Sequence, residues 1–180
     1  MNKYIPDYYY QNIESIEYEK LLNRGITTLF FDLDNTVLPD NRGSFNDLNY
    51  QFFEKLAKDF KILIITNNNK KRCMTAFDNR INCFHKALKP FKIRYKKMLK
   101  VINSKPFEVC AIGDQILPDV LGANKMGFVS ILVNPIDPTI QNWKSRFNRF
   151  IEKKILLRLK KLDPQLFEER LALFYDKREP

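Results

Sequence analysis

Two carboxylates one residue apart, Asp32 and Asp34, follow directly on the apolar run Ile26 to Phe31. Acids placed there either finish a strand in an ordinary turn or helix cap, or present a charged site at the edge of a sheet. Comparable polar groups follow other apolar runs: Thr66-Asn67-Asn68-Asn69 after "KILII", Lys89 ahead of Pro90, and Asp114 after "FEVCAIG". Acids, a lysine and hydroxyl or amide donors gathered at one edge suit phosphate chemistry. A hard divalent cation such as Mg²⁺ takes oxygen ligands and keeps waters and a substrate phosphate in its shell, and packed carboxylates repel one another unless a cation neutralises them. In such a pair Asp32 can attack phosphorus, since an aspartyl-phosphate divides one hard hydrolysis into two easier steps. Asp34 can then handle protons, first as general acid and later as base.

The elements that must carry these residues alternate along the chain. "GITTLFF" (25–31), "KILIIT" (61–66), "INCFHKAL" (81–88), "FEVCAIG" (107–113) and "FVSILV" (128–133) read as strands, the third of them weak. Between them, residues 45–60 place Leu48, Phe52, Phe53, Leu56, Ala57 and Phe60 at helical spacing, and 70–80, 91–104 and 117–127 read as further helices. This order predicts an α/β, Rossmann-like parallel sheet with helices on both faces. Ligands of such sheets bind beyond the carboxyl ends of the strands, which is where the acids fall.

Composition bounds the rest. The chain of 180 residues is 44% hydrophobic and 29% charged, which suits one globular core. No apolar run approaches the roughly 18 residues of a membrane span, and the first residues lack a signal-peptide pattern, so a cytoplasmic protein is expected. Cys73, Cys83 and Cys110 have no CxxC spacing and are expected as buried, reduced thiols. The single histidine, His85, excludes a histidine-rich zinc site. The net charge of +10 favours a polyanionic partner.

The ordered motifs "DLDNT", "IITNN", "LKP" and "IGDQILPD" resemble those of the haloacid dehalogenase (HAD) superfamily of aspartate-nucleophile phosphatases, over residues 26–134. With "YIPDYYYQNI", "TNNN" and "RFNRFIEKKIL" the chain is similar, up to about residue 160, to the YqeG-type members of HAD subfamily IIIA, relatives of phosphatidylglycerophosphate phosphatases. The resemblance implies Asp32 as nucleophile, Asp34 as acid/base and Lys89 as the cation that neutralises the pentacovalent state. It also implies Thr66 and Asn67 as phosphate-binding residues, Asp32, Asp34 and Asp114 around Mg²⁺, and Asp119 as a supporting acid. Pro118 departs from the pattern, in which threonine often precedes the last aspartate. Asp119 alone could equally stand in a helix first turn, and Arg42 is either a headgroup contact or a solvated loop residue.

Many HAD enzymes of small metabolites carry an inserted cap domain. The intervals Val37–Lys61 and Lys70–Leu88 leave no room for one, so a capless core with an open site is expected. The division is 1–24 as an N-terminal segment packed on the core, 25–138 as the core and 139–180 as a basic helical extension. Within 141–161, eight lysines and arginines stand against Glu152 alone, and Trp143, Phe147, Ile151, Ile155, Leu159 and Leu162 form an apolar stripe. That segment either packs on the sheet with a solvated basic face or lies on an anionic membrane surface. The expected substrate is an anionic lipid headgroup, phosphatidylglycerophosphate. Alternatives are another phosphomonoester or a phosphoprotein, or a HAD-fold module that binds RNA or protein; a nucleic-acid arm is the weaker option, without a recognised motif.

Overall fold

The computed structural model describes residues 2–40, 43–77, 80–139 and 143–176, with side chains from residue 3 in the first segment and from residue 146 in the last. Its centre is a wholly parallel six-stranded sheet: β1 (Tyr8–Tyr10), β2 (Thr28–Asp32), β3 (Lys61–Ile65), β4 (Cys83–Phe84), β5 (Val109–Gly113) and β6 (Val129–Val133), in the order β1-β6-β5-β2-β3-β4. Every residue of β2, β5 and β6 is buried, which is why these strands read as continuous apolar runs rather than alternating ones. The fold is the expected α/β Rossmann-like one.

Strand parity divides the core. Leu29 and Phe31 of β2 face α1 (Tyr18–Asn23), α2 (Asp47–Leu56) and α3 (Lys70–Phe77) through Leu21, Phe53, Leu56, Ala76 and Phe77. Phe30 points the opposite way, against Tyr95 and Met98 of α4 (Lys92–Ile102) and Ala123 of α5 (Leu121–Met126). Further along that second face, Leu132 of β6 and Ile116 meet α6 (Trp143–Leu162), α7 (Pro164–Arg170) and α8 (Ala172–Asp176). The helix ends follow local chemistry: Asn46 and Asn49 form a reciprocal capping box before α2, and Gly127 closes α5 in the left-handed region that glycine adopts freely.

One element is added and three expectations are corrected. The N-terminal segment contributes strand β1, tied to β6 where Asp7 N–H donates to Ser130 O at 3.0 Å. Three consecutive tyrosines show no periodicity to announce a half-buried edge strand. The third expected strand shrinks to Cys83–Phe84, because Lys86 and Leu88 take positive φ (50° and 54°). Cys73 and Cys83 are joined in a disulfide, since α3 and β4 bring their Cα atoms to 5.9 Å; only Cys110 is a free, buried thiol. In α6 the buried face is Glu152, Leu156 and Leu159, with Phe147 and Leu162 of the expected stripe about 60% exposed (60% and 59%). The inward face is mixed: Leu156 and Leu159 enter the core, and Glu152 accepts from Leu117 N. Arg42 and the side chains of Trp143 and Lys144 lie outside the described residues.

Candidate active site

The chain runs from β2 outward to β3 and β4, then crosses back to β5 and β6, so strand order reverses between β2 and β5. Ligands of open α/β sheets bind at such a reversal, beyond the carboxyl ends. Asp32 is the last residue of β2, Thr66 follows β3 and Asp114 follows β5. Asp119 arrives from a π-helical turn, Ile116–Val120, that precedes α5. Carboxylate oxygens of Asp32, Asp114 and Asp119 all lie within 4.8 Å of one another.

Lys89 bridges two of these acids: its Nζ donates to Asp32 Oδ1 at 2.5 Å and to Asp119 Oδ1 at 2.6 Å. The Asn67 side chain sets its position, accepting from Lys89 N at 2.7 Å and donating to Lys89 O at 3.1 Å. That bracket ties the loop before α4 to the end of β3. Asp119 is seated just as closely: Gln115 N–H donates to its Oδ2 at 3.1 Å, and a Cβ on Gly113 would stand 2.2 Å from its Cγ. A glycine ends β5 because only hydrogen fits there.

Asp34 stands apart from that group. Its Oδ1 accepts from Arg72 Nε at 2.8 Å, and its Oδ2 from Asn68 Nδ2 at 3.3 Å and from Thr66 Oγ1 at 3.5 Å. Asn35, at φ +65°, turns the chain between the two aspartates' loop and Leu38 O, so the second carboxylate swings clear of the first. Thr66 Oγ1 also accepts from Asn68 N, and Asn69 caps α3 by accepting from Arg72 N, each at 3.0 Å. Arg72 is buried and anchored to Gly43 O and Pro39 O as well.

Burial dominates the electrostatics. It pushes the Asp32 carboxyl well above the ordinary carboxylate range, against Lys89 and with help from Asp119 and Asp114. Burial likewise raises Asp119 against Lys89. For Lys89, burial favours the neutral amine, but the Asp119 and Asp32 carboxylates outweigh it and hold the pKa above its usual value. The central unit is a lysine cation between two acids that dry surroundings disfavour as anions.

The acidic group is buried, while Asp34 is half-buried and Asn67 exposed. Asp32, Lys89, Asp114 and Asp119 are 7%, 6%, 0% and 5% exposed, although no domain is inserted. The cover over Asp114 comes from α6. Arg149 NH2 pairs with Asp114 Oδ2, its NH1 donates to Asp114 O at 2.7 Å, and NH1 lies 3.3 Å from Glu152 Oε2. Thr36 Oγ1 donates to Asp114 Oδ1 at 3.3 Å. Sequence reasoning missed both Arg72 and Arg149. Arg72 has no local signal, whereas the one acid in the basic run, Glu152, marks where that helix turns a charged face inward.

Comparison with known proteins identifies the family. The HAD-hydrolase-like family model matches residues 87–135, the segment from Lys89 through Asp114 and Asp119 to the end of β6. The chain is 32% identical over 169 residues to "Probable phosphatase YqeG" of Bacillus subtilis, covering 92% of this chain and 97% of that protein. The chain belongs to the YqeG family of HAD-type phosphatases. Among solved structures, an uncharacterised protein from Listeria monocytogenes aligns with TM-score 0.49 and 19% identity over 76% of this chain and all (100%) of that one. A predicted HAD-like hydrolase from Porphyromonas gingivalis aligns with TM-score 0.49 and 13% identity over 70% and 98%.

The donor set of this YqeG-family chain fits a divalent cation. Three buried carboxylates, Asp32, Asp114 and Asp119, offer oxygens at one point. A hard dication prefers such oxygen ligands, and its charge would offset the repulsion between clustered carboxylates. Among the described residues, no helix is long and apolar enough to cross a membrane.

Proposed function

We propose that this phosphatase hydrolyses a phosphomonoester through a phosphorylated Asp32, and that its substrate is an anionic lipid headgroup, phosphatidylglycerophosphate. The observation that carries the chemistry is the Asp32–Lys89–Asp119 bridge at the carboxyl edge of the sheet. A carboxylate oxygen of Asp32 bonds to phosphorus while the bond from phosphorus to the leaving alkoxide breaks, and Asp34 gives that alkoxide its proton. Asp34 then takes a proton from water, whose oxygen attacks phosphorus and releases inorganic phosphate from Asp32. Lys89 holds Asp32 in line and carries positive charge toward the phosphoryl oxygens. Thr66 Oγ1 and the Asn67 backbone receive the phosphate, while Arg72 and Asn68 orient Asp34. Asp32, Asp114 and Asp119 would hold the divalent cation, Mg²⁺ in this reading, which would neutralise charge on phosphoryl oxygens.

The outer face of α6 supports the lipid reading. Phe147 and Phe150 are exposed on a helix that also exposes Arg146, Lys153, Lys154 and Lys161, with Lys154 Nζ 4.5 Å from the Phe150 ring centre. Aromatic rings with lysines around them suit the surface of an anionic bilayer, to which each basic residue contributes about 1 kcal/mol. In this reading the enzyme works at the cytoplasmic face of a membrane. The test is phosphate release from phosphatidylglycerophosphate in mixed micelles, with Mg²⁺ or EDTA, for wild type and Asp32→Asn. Mg²⁺-dependent release lost in the variant is expected. Turnover of an aryl phosphate but not of the lipid would retain the chemistry and replace the substrate with another phosphomonoester or a phosphoprotein.

A further inference from the structure

Arg149 of α6 pairs with Asp114, the most buried acid of the site. Its side chain is 15% exposed, and it spends two nitrogens on Asp114 and Glu152. Its third, the Nε–H, is buried and has no hydrogen-bond partner among the described residues. A guanidinium offers five donors in a rigid fork suited to phosphate, and a buried N–H without an acceptor is a cost that native interiors rarely carry. The neighbouring inward residues of α6 are also polar. Glu152 accepts from Leu117 N at 3.1 Å, and Asn148 donates to Gln115 Oε1 at 2.9 Å, so the helix is keyed to the turn that follows Asp114.

We propose that Arg149 is an anion-binding residue of the active site, carried there by the C-terminal helix, and that it donates to an oxygen of the phosphorylated substrate. The proposal rests on the phosphatase reading above and extends it. Asp114 cannot serve a guanidinium and a divalent cation equally well, because two positive charges on one dry carboxylate repel strongly. Once Asp114 ligates a cation, the guanidinium loosens on that side, stays tethered through Glu152 and gains donors for phosphate. Helix α6 thereby performs the service of the cap domain that the chain lacks, and substrate and cation binding are linked through one side chain.

The test is calorimetric titration of inorganic phosphate into full-length protein with Mg²⁺, and of Mg²⁺ alone, for wild type, Arg149→Met and Arg149→Lys. The expected result is phosphate affinity at least about tenfold weaker in Arg149→Met and intermediate weakening in Arg149→Lys, which keeps charge and loses the fork. Binding of Mg²⁺ alone is expected to be unimpaired or tighter in Arg149→Met. Unchanged phosphate affinity in both variants, with only a lower unfolding temperature, overturns the proposal and leaves Arg149 as a docking contact. Should Arg149→Met not fold, Arg149→Lys decides alone, with unchanged phosphate affinity again the overturning result. Wild type that binds no phosphate and turns over no aryl phosphate overturns the phosphatase reading itself, whatever the variants do.

Discussion

Lys89 is the residue on which the acidic group balances. Its ammonium is the only cation that the structure places on Asp32 and Asp119 among the described residues, and all three are sealed from water. Removing one partner of a buried pair costs about 3–5 kcal/mol, because the remaining charges must protonate or draw in water. Lys89→Met is therefore expected to lose phosphatase activity and to lower stability by that order in urea unfolding. Gly113 sets a steric limit beside it. In Gly113→Ala the new methyl collides with Asp119, an overpacking that costs about 1–3 kcal/mol and draws Asp119 away from Lys89. Thermal unfolding and turnover of an aryl phosphate should both fall; unchanged values would show that Asp119 can move at no cost.

At the scale of elements, two contacts reverse what pattern alone implies. The α6 stripe expected through Phe147 and Leu162 is turned aside, and Leu156 and Leu159 fill the core against Phe167, Leu171 and Phe174. Leu159→Ala is expected to cost about 2–5 kcal/mol, and Leu162→Ala no more than about 0.5 kcal/mol, read as shifts of the urea midpoint. The second contact is the Cys73–Cys83 disulfide, which joins α3, the helix of Arg72, to β4, which leads toward Lys89. Cys110, by contrast, is fully buried, and burial pushes its thiol well above its usual pKa. Alkylation followed by mass spectrometry should find no labelled cysteine in the native protein, one after unfolding, and three after unfolding with reductant. Labelling of Cys73 without reductant would exclude the disulfide.

Across the whole molecule, cation binding at this site would be linked to folding, because the carboxylates of Asp32, Asp114 and Asp119 meet only when β2, β5 and the turn before α5 are assembled. A ligand that binds only the folded state adds about 2.7 kcal/mol at one hundred times its dissociation constant. Millimolar Mg²⁺ is expected to raise the unfolding temperature of the wild type and not that of Asp114→Asn; an equal shift in both would place the cation elsewhere. Much of this assembly is legible in the chain. Buried strands must be apolar along their whole length, and their polar ends must lie at the sheet edge, so Asp32, Thr66 and Asp114 are marked by what precedes them. The motif order then carries Lys89 and Asp119. What the sequence could not convey depends on contacts between distant segments. Asp34 turns from Asp32 toward Arg72 because Asn35 takes a positive φ and α3 delivers a guanidinium. Asp114 is closed over by a helix thirty-five residues away in sequence, the separation of its bond with Arg149. Periodicity reports which face of a helix is apolar, and α6 docks by a mixed face: Arg149 and Glu152 meet the turn after Asp114 while Leu156 and Leu159 enter the core, and Phe147 and Phe150 stay outside. The sequence by itself determined the sheet, the strand ends and the acids they carry, because these follow from local apolar patterning and short-range order. Only the tertiary structure decided what covers those acids, because long-range charge pairing leaves no local trace.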